Sequence, residues 1–146
     1  CHYLRRFLCK NLFKKFGKNC FLTDLITISN PGNISLGDRV SIHQYSLLDA
    51  TAEIRIGNKV AIGSHSSFIT SSHNFDNQDV PIKDQGINSK EIEISDNVWI
   101  GSGVTVLQGV KIGKNSIIGA KSLVNKNVPE NVIAVGVPCK ILRNLK

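Results

Sequence analysis

Aromatic side chains are scarce in this chain, at 6% with a single Trp, and methionine is missing altogether. In their place stand 18 Ile, 12 Val, 14 Asn and 12 Gly, a mix that favours many short strands joined by tight turns over a helical bundle. No acidic residue occurs before Asp24, so Arg5, Arg6, Lys10, Lys14, Lys15 and Lys18 hold nearly all of the formal net charge of +7. A basic leader on a near-neutral body argues against a general polyanion binder, nucleic acid included. It leaves a membrane surface or an acidic partner open for residues 1–20. Also missing is any charge-free apolar run of the roughly 18 residues that a spanning helix needs. A secretory signal is lacking too, because Arg and Lys interrupt the first apolar positions, and a cytoplasmic protein is expected. Cys1, Cys9, Cys20 and Cys139 have neither the close pairing of a zinc site nor the density of a disulfide scaffold, and are read as reduced small residues. A chain that opens on cysteine and holds no methionine is expected to have a trimmed or processed start. At 146 residues there is room for one core and not comfortably for two.

Internal repetition organises the body. From residue 36 a bulky apolar side chain returns at every sixth position within each of four runs: Leu36, Ile42 and Leu48; Ile56, Ile62 and Phe68; Ile94, Ile100 and Val106; Ile112, Ile118 and Val124. Four residues after each stands something small or β-branched, from Val40 through Ala52, Ser72 and Val98 to Val128. Gly37, Gly57, Gly63, Gly101, Gly113 and Gly119 directly follow the apolar residue. Neither a helix nor a flat strand has a period of six, but a coil of short strands does. Three hexads close one triangular turn, with residues i and i+4 pointing inward and Gly or Asn taking the left-handed backbone at corners. The pattern therefore predicts an all-β, left-handed parallel β-helix of four coils, about 19 Å tall at 4.8 Å per strand layer. Apolar doublets at Ile34/Leu36, Ile54/Ile56, Ile92/Ile94 and Val110/Ile112 mark where coils begin.

Two segments stand outside the repeat. Residues 74–91 are polar, contain Pro81 and Gly86, and form an excursion, the place where function usually sits in a regular solenoid. In residues 1–20, Leu4, Phe7, Leu8, Leu12 and Phe16 fall on one face of an expected basic amphipathic helix. It would cap the prism, touch a membrane surface, or do both. Residues 21–33 read as irregular, with a turn at Asn30-Pro31-Gly32, and the β-helix domain is taken as 21–146 with a short C-terminal tail.

The C-terminal run carries a more specific signature: Ile94-Ser-Asp-Asn-Val-Trp99-Ile-Gly-Ser102, then Gly109-Val-Lys-Ile-Gly, Ile117-Ile-Gly-Ala120, and Ala134-Val-Gly-Val-Pro-Cys139-Lys-Ile-Leu-Arg143. With the hexads it resembles the left-handed β-helix, hexapeptide-repeat acyltransferases over roughly residues 34–143. The likeness is to the maltose/galactoside acetyltransferase and capsule or O-antigen O-acetyltransferase branch in particular. The resemblance implies a homotrimer with active sites between neighbouring prisms and acetyl-CoA as acyl donor.

Within that frame His73, at the mouth of the excursion, matches the family's catalytic histidine. An imidazole suits the task because it titrates near neutral pH and can take the proton of an attacking hydroxyl. No Cys or Ser is paired with a base at motif spacing, so direct transfer is expected rather than a covalent intermediate. The resemblance places Trp99, Ser102 and Ala120 along the CoA channel. It also places Lys126 and Arg143 near the CoA phosphates, with Asn125 where Thr is common beside that lysine. A point charge and a planar fork both suit phosphate. Trp99 takes an outward slot of its hexad, and the resemblance makes it a cleft wall beside the pantetheine and the acceptor, with Asn74 as a further acceptor contact. His43 falls where related sugar acetyltransferases carry an acceptor-binding Asn, one coil-stack from the base. That departure points away from a small galactoside or maltose and toward a different saccharide hydroxyl. His65 reads as an exposed turn residue.

The resemblance implies an acetyl-CoA-dependent O-acetyltransferase acting on a saccharide, in bacterial surface-polysaccharide biosynthesis, and a protein that is cytoplasmic or peripheral at the inner membrane face is expected. A nucleotide-sugar N-acetyltransferase and an antibiotic-inactivating acetyltransferase would use the same His73 and CoA site, and only the acceptor separates them. A zinc lyase of the gamma carbonic anhydrase type needs a close histidine pair that is absent here, so no metal is expected. A non-catalytic solenoid scaffold would bind no CoA.

Overall fold

The computed structural model describes residues 2–145, with side chains from residue 7 onward; Leu4, Arg5 and Arg6 of the expected helix face lie outside those side chains. One helix, α1 (His2–Leu12), precedes a stack of coils. The first coil is β1 (Lys15–Phe16), β2 (Phe21–Leu22) and β3 (Thr27–Ser29), the second β4 (Ile34–Leu36), β5 (Ser41–Ile42) and β6 (Leu47–Asp49), the third β7 (Ile54–Ile56), β8 (Ala61–Ile62) and β9 (Ser67–Ile69). An arm, β10 (Ser71–His73) and β11 (Ile87–Ser89), then leaves the stack. Two more coils follow, β12 (Ile92–Ile94), β13 (Trp99–Ile100) and β14 (Thr105–Leu107), then β15 (Lys111–Ile112), β16 (Ile117–Ile118) and β17 (Leu123–Val124). β18 (Val132–Val135) and β19 (Lys140–Asn144) close the far end.

Equivalent strands of successive coils pair in parallel and build three faces: β1-β4-β7-β12-β15, then β2-β5-β8-β13-β16-β18, then β3-β6-β9-β14-β17. This is the expected left-handed parallel β-helix. The hexad residues from Leu36 to Val124 are all buried, and so are the residues four further on, apart from half-buried Ala52 and exposed Ser72. At those two corners Ala50 and Thr70 turn inward instead, because the third strand of each of these coils runs on before the chain bends. Ser46, Ser66 and Ser122 are buried without penalty, since each hydroxyl donates to the carbonyl three residues back, at 2.8, 2.9 and 2.7 Å.

Four expectations need correction. The stack is longer than four coils, because residues 21–33 are not irregular: Phe21 pairs with Ser41 and Thr27 with Leu47. Phe16, Leu22 and Ile28 continue the six-residue period one coil earlier than Leu36. The C-terminal tail is a strand, β19, antiparallel to β18. The helix does not reach residue 20 but stops at Leu12, and it turns Cys9 toward the core while Phe7, Leu8 and Leu12 face solvent. Phe13 and Phe16, edge to face at 5.4 Å between centroids, fill the end of the prism. Finally, the left-handed corners are taken by Asn19, Arg39, Lys59, Asn97, Asn115 and Asn131 at one edge and by Leu25, Tyr45, His65, Gly103 and Lys121 at the next. The six repeat glycines are not in that conformation; at Gly63 and Gly101 a Cβ would stand 2.6 Å from the backbone nitrogens of Ser102 and Ala120 in the next coil. They permit close stacking of coils rather than an unusual φ.

Candidate active site

The site residues fall at two different edges of the prism. Between the second and third faces, His43, Gly63, Gly101 and Gly119 form one column, each backbone N–H bonded to the coil above at 2.8 to 3.1 Å. Gln44, Ser64, Ser102 and Ala120 form the next column, in which Ser64 and Ser102 carry hydroxyls 3.5 Å apart. Trp99 leads into this edge from β13, between Ala61 and Ile117 in the ladder, and is 57% exposed. Small side chains and exposed backbone stand here beside one outward indole. Neighbouring His65 is exposed and stacks on Tyr45 at 4.8 Å.

Between the third and first faces stand His73, Asn74, Asn125 and Lys126. The chain leaves the stack after Thr70, and His73 is exposed on β10, opposite Ile87. Only three residue pairs join β10 to β11. Asn74 donates through Nδ2 to the carbonyl of Gln85 at 3.1 Å and thereby ties the arm together. Gln85, which sequence reasoning passed over, folds the tip: its Oε1 accepts from the Asn77 N–H at 3.1 Å, and its Nε2 donates to the Asn77 and Val80 carbonyls at 2.7 and 2.8 Å. Asn125 and Lys126 are exposed at the same edge, following β17. Arg143 is exposed on β19, opposite Ile133, so it shares with Lys126 the C-terminal end of the stack but not its edge.

His43 is therefore not one coil-stack from His73; it occupies another edge, because β10 departs after the third face and His43 follows the second. Among the described residues no three His, Cys, Asp or Glu side chains are grouped to hold a metal. A depression of about 790 Å³ on the first face, lined by Arg55, Glu93 and Asp96 among others, belongs to neither group. There Arg55 pairs with Glu91 at 2.7 Å, and Lys14, 3.0 Å from Glu53, holds that carboxyl below its ordinary range.

Residues 91–126 match the bacterial transferase hexapeptide family, described as six repeats. A galactoside O-acetyltransferase of Lactococcus lactis is 38% identical over 141 residues, 94% of this chain and 66% of its own length. A putative colanic acid biosynthesis acetyltransferase, WcaF of Escherichia coli K12, is 32% identical over 139 residues, 95% of this chain and 74% of its own. The crystal structure of a hexapeptide-repeat acetyltransferase from Vibrio cholerae, complexed with acetyl-CoA, superposes with a TM-score of 0.94 at 33% identity, covering 100% of this chain and 79% of that one.

The chain belongs to the hexapeptide-repeat acyltransferases. It spans just under two thirds of the Lactococcus relative. In this hexapeptide-repeat chain the repeat builds the prism, and the arm that interrupts it carries His73.

Proposed function

We propose that this chain is an acetyl-CoA-dependent O-acetyltransferase that acts on a saccharide hydroxyl in bacterial surface-polysaccharide biosynthesis. The division of the candidate residues between two edges of one prism carries this reading. The CoA-channel candidates Trp99, Ser102 and Ala120 lie at one edge with His43, and the base candidate His73 lies with Asn74, Asn125 and Lys126 at another. Cyclic symmetry joins unlike edges of neighbouring copies, so a homotrimer would assemble three complete sites between subunits. Relatives named as O-acetyltransferases and a neighbour holding acetyl-CoA support the donor and the reaction class.

Acetyl-CoA brings a thioester carbonyl ready for attack. His73 takes the acceptor hydroxyl proton as that oxygen bonds to the carbonyl carbon; the C–S bond then breaks, and the imidazolium returns the proton to the departing sulfur. Ser102 and Ala120 leave backbone amides open to the pantetheine, while Lys126 and Arg143 hold phosphates. Trp99, His43 and Asn74 form the acceptor side. Exposed Phe7, Leu8 and Leu12, on the same helix as exposed Lys10, support a peripheral contact with an anionic membrane surface.

Isothermal titration with acetyl-CoA tests the reading. We expect micromolar binding, weakened about tenfold or more by Lys126→Ala/Arg143→Ala. His73→Ala should retain binding and lose transfer by about 10² to 10⁴-fold. Absence of heat with wild-type protein would reject an acyl-CoA enzyme.

A further inference from the structure

We infer that Gln108 is a positioning residue for His73, acting through Ser72 from the coil above the arm; the inference rests on the reading of His73 as general base. An isolated two-stranded ribbon is marginal in water, and the ribbon bearing His73 has only three residue pairs. Its aim is set at the root. From the coil below, the Thr70 hydroxyl donates to the Asp49 carbonyl at 2.8 Å, and the Ser71 hydroxyl donates to Asp49 Oδ2 at 3.4 Å. From the coil above, Gln108 Nε2 donates to Ser72 Oγ at 2.6 Å, across 36 residues of sequence.

Side chains alternate along a strand, so Ser71 and His73 leave one side of β10 and Ser72 the other. A strand held through Ser71 alone is free to roll about its axis. One held on both sides, from two different coils, is not, and the direction of the imidazole is then fixed. Gln108 is poorly explained by stability alone: its Oε1 is buried and has no hydrogen-bond partner among the described residues. Exchanging the amide's oxygen and nitrogen keeps the link to Ser72 and still leaves one end unpaired. The one pairing this amide makes is the bond to Ser72.

Gln108→Leu keeps the bulk, removes the link and removes the idle acceptor. We expect an unchanged or higher melting temperature and unchanged acetyl-CoA affinity. Turnover, read as CoA thiol release with a panel of mono- and disaccharide acceptors, should show kcat reduced about tenfold with acceptor KM within about twofold of wild type. Ser72→Ala should lose as much, the double variant no more than either single, and Ser72→Thr should restore the rate. Wild-type kcat in Gln108→Leu, or additive losses, would overturn the inference. Full activity in His73→Ala would instead sink the general-base reading. If no acceptor in the panel turns over, amide hydrogen exchange decides: faster exchange at Ser72, His73 and Ile87 in Gln108→Leu supports the inference, and unchanged exchange refutes it.

Discussion

At single residues the coil stack is least forgiving where backbone meets backbone. Gly101→Ala would drive a Cβ to within 2.6 Å of the Ala120 nitrogen, a rigid neighbour. Thermal melts should show a loss of about 1 to 3 kcal/mol, with weaker acetyl-CoA binding because the channel edge must shift. Corner carboxylates act through charge instead. Asp96 accepts from the Asn58 backbone N–H at 2.7 Å, and this bond, with help from the Asn58 side chain, holds its carboxyl below the usual aspartate range. A lowered folded-state pKa means the stabilisation is complete above the ordinary value of about 3.9 and is lost as pH falls through the lower folded value. Asp96→Asn keeps the acceptor oxygen and removes the titration, so its melting temperature should fall less steeply than wild type between about pH 4 and pH 2. The repeat glycines were legible as positions from sequence, yet their reason was not: close approach depends on what lies one coil away. Gln108 and Asp49 carried no signal, because each meets the arm across 36 or 22 residues without a motif.

Among elements, the hexads announced themselves because every inward position has the same aliphatic requirement in each coil. The arm was visible as a break in that requirement, and its ribbon pairing was not, since Ile87, Asn88 and Ser89 have no periodic neighbours to betray a strand. Helix α1 shows how terminal context overrides amphipathicity. Its apolar stripe left a cap, a membrane contact or both open; the chain turns at Leu12 to begin β1, and Phe13 with Phe16 already fills the prism end, so the stripe stays outward. The exposed ridge of Phe7, Leu8 and Leu12 should sediment with vesicles rich in anionic lipid and not with neutral ones. Phe7→Ser/Leu12→Ser should reduce that sedimentation several-fold without lowering the melting temperature. Equal sedimentation with both vesicle types would remove the electrostatic part of the argument.

For the whole molecule, the candidate residues were read from sequence as members of one site and stand in the structure in separate groups. Sequence reports which residues are present and not which copy supplies them. Light scattering of the purified chain should give three times the 16.0 kDa protomer mass. Mixing His73→Ala with Trp99→Ala protomers and allowing exchange should recover part of the activity, because some interfaces would then pair an intact arm with an intact channel edge. A monomer with full activity would require one prism to bring its two edges together.

The stacking of coils along a single axis also makes the molecule a graded spring. Helix α1 and strand β19 sit at opposite ends of the stack, so traction between them loads one layer of ladder bonds at a time instead of shearing all layers together. Coil origins are 20, 38 and 18 residues apart between Ile34 and Val110. At roughly 3.5 Å per extended residue, peeling would release chain in steps of about 70, 130 and 60 Å, so the arm that carries His73 would be written into a force-extension trace as one double-length step.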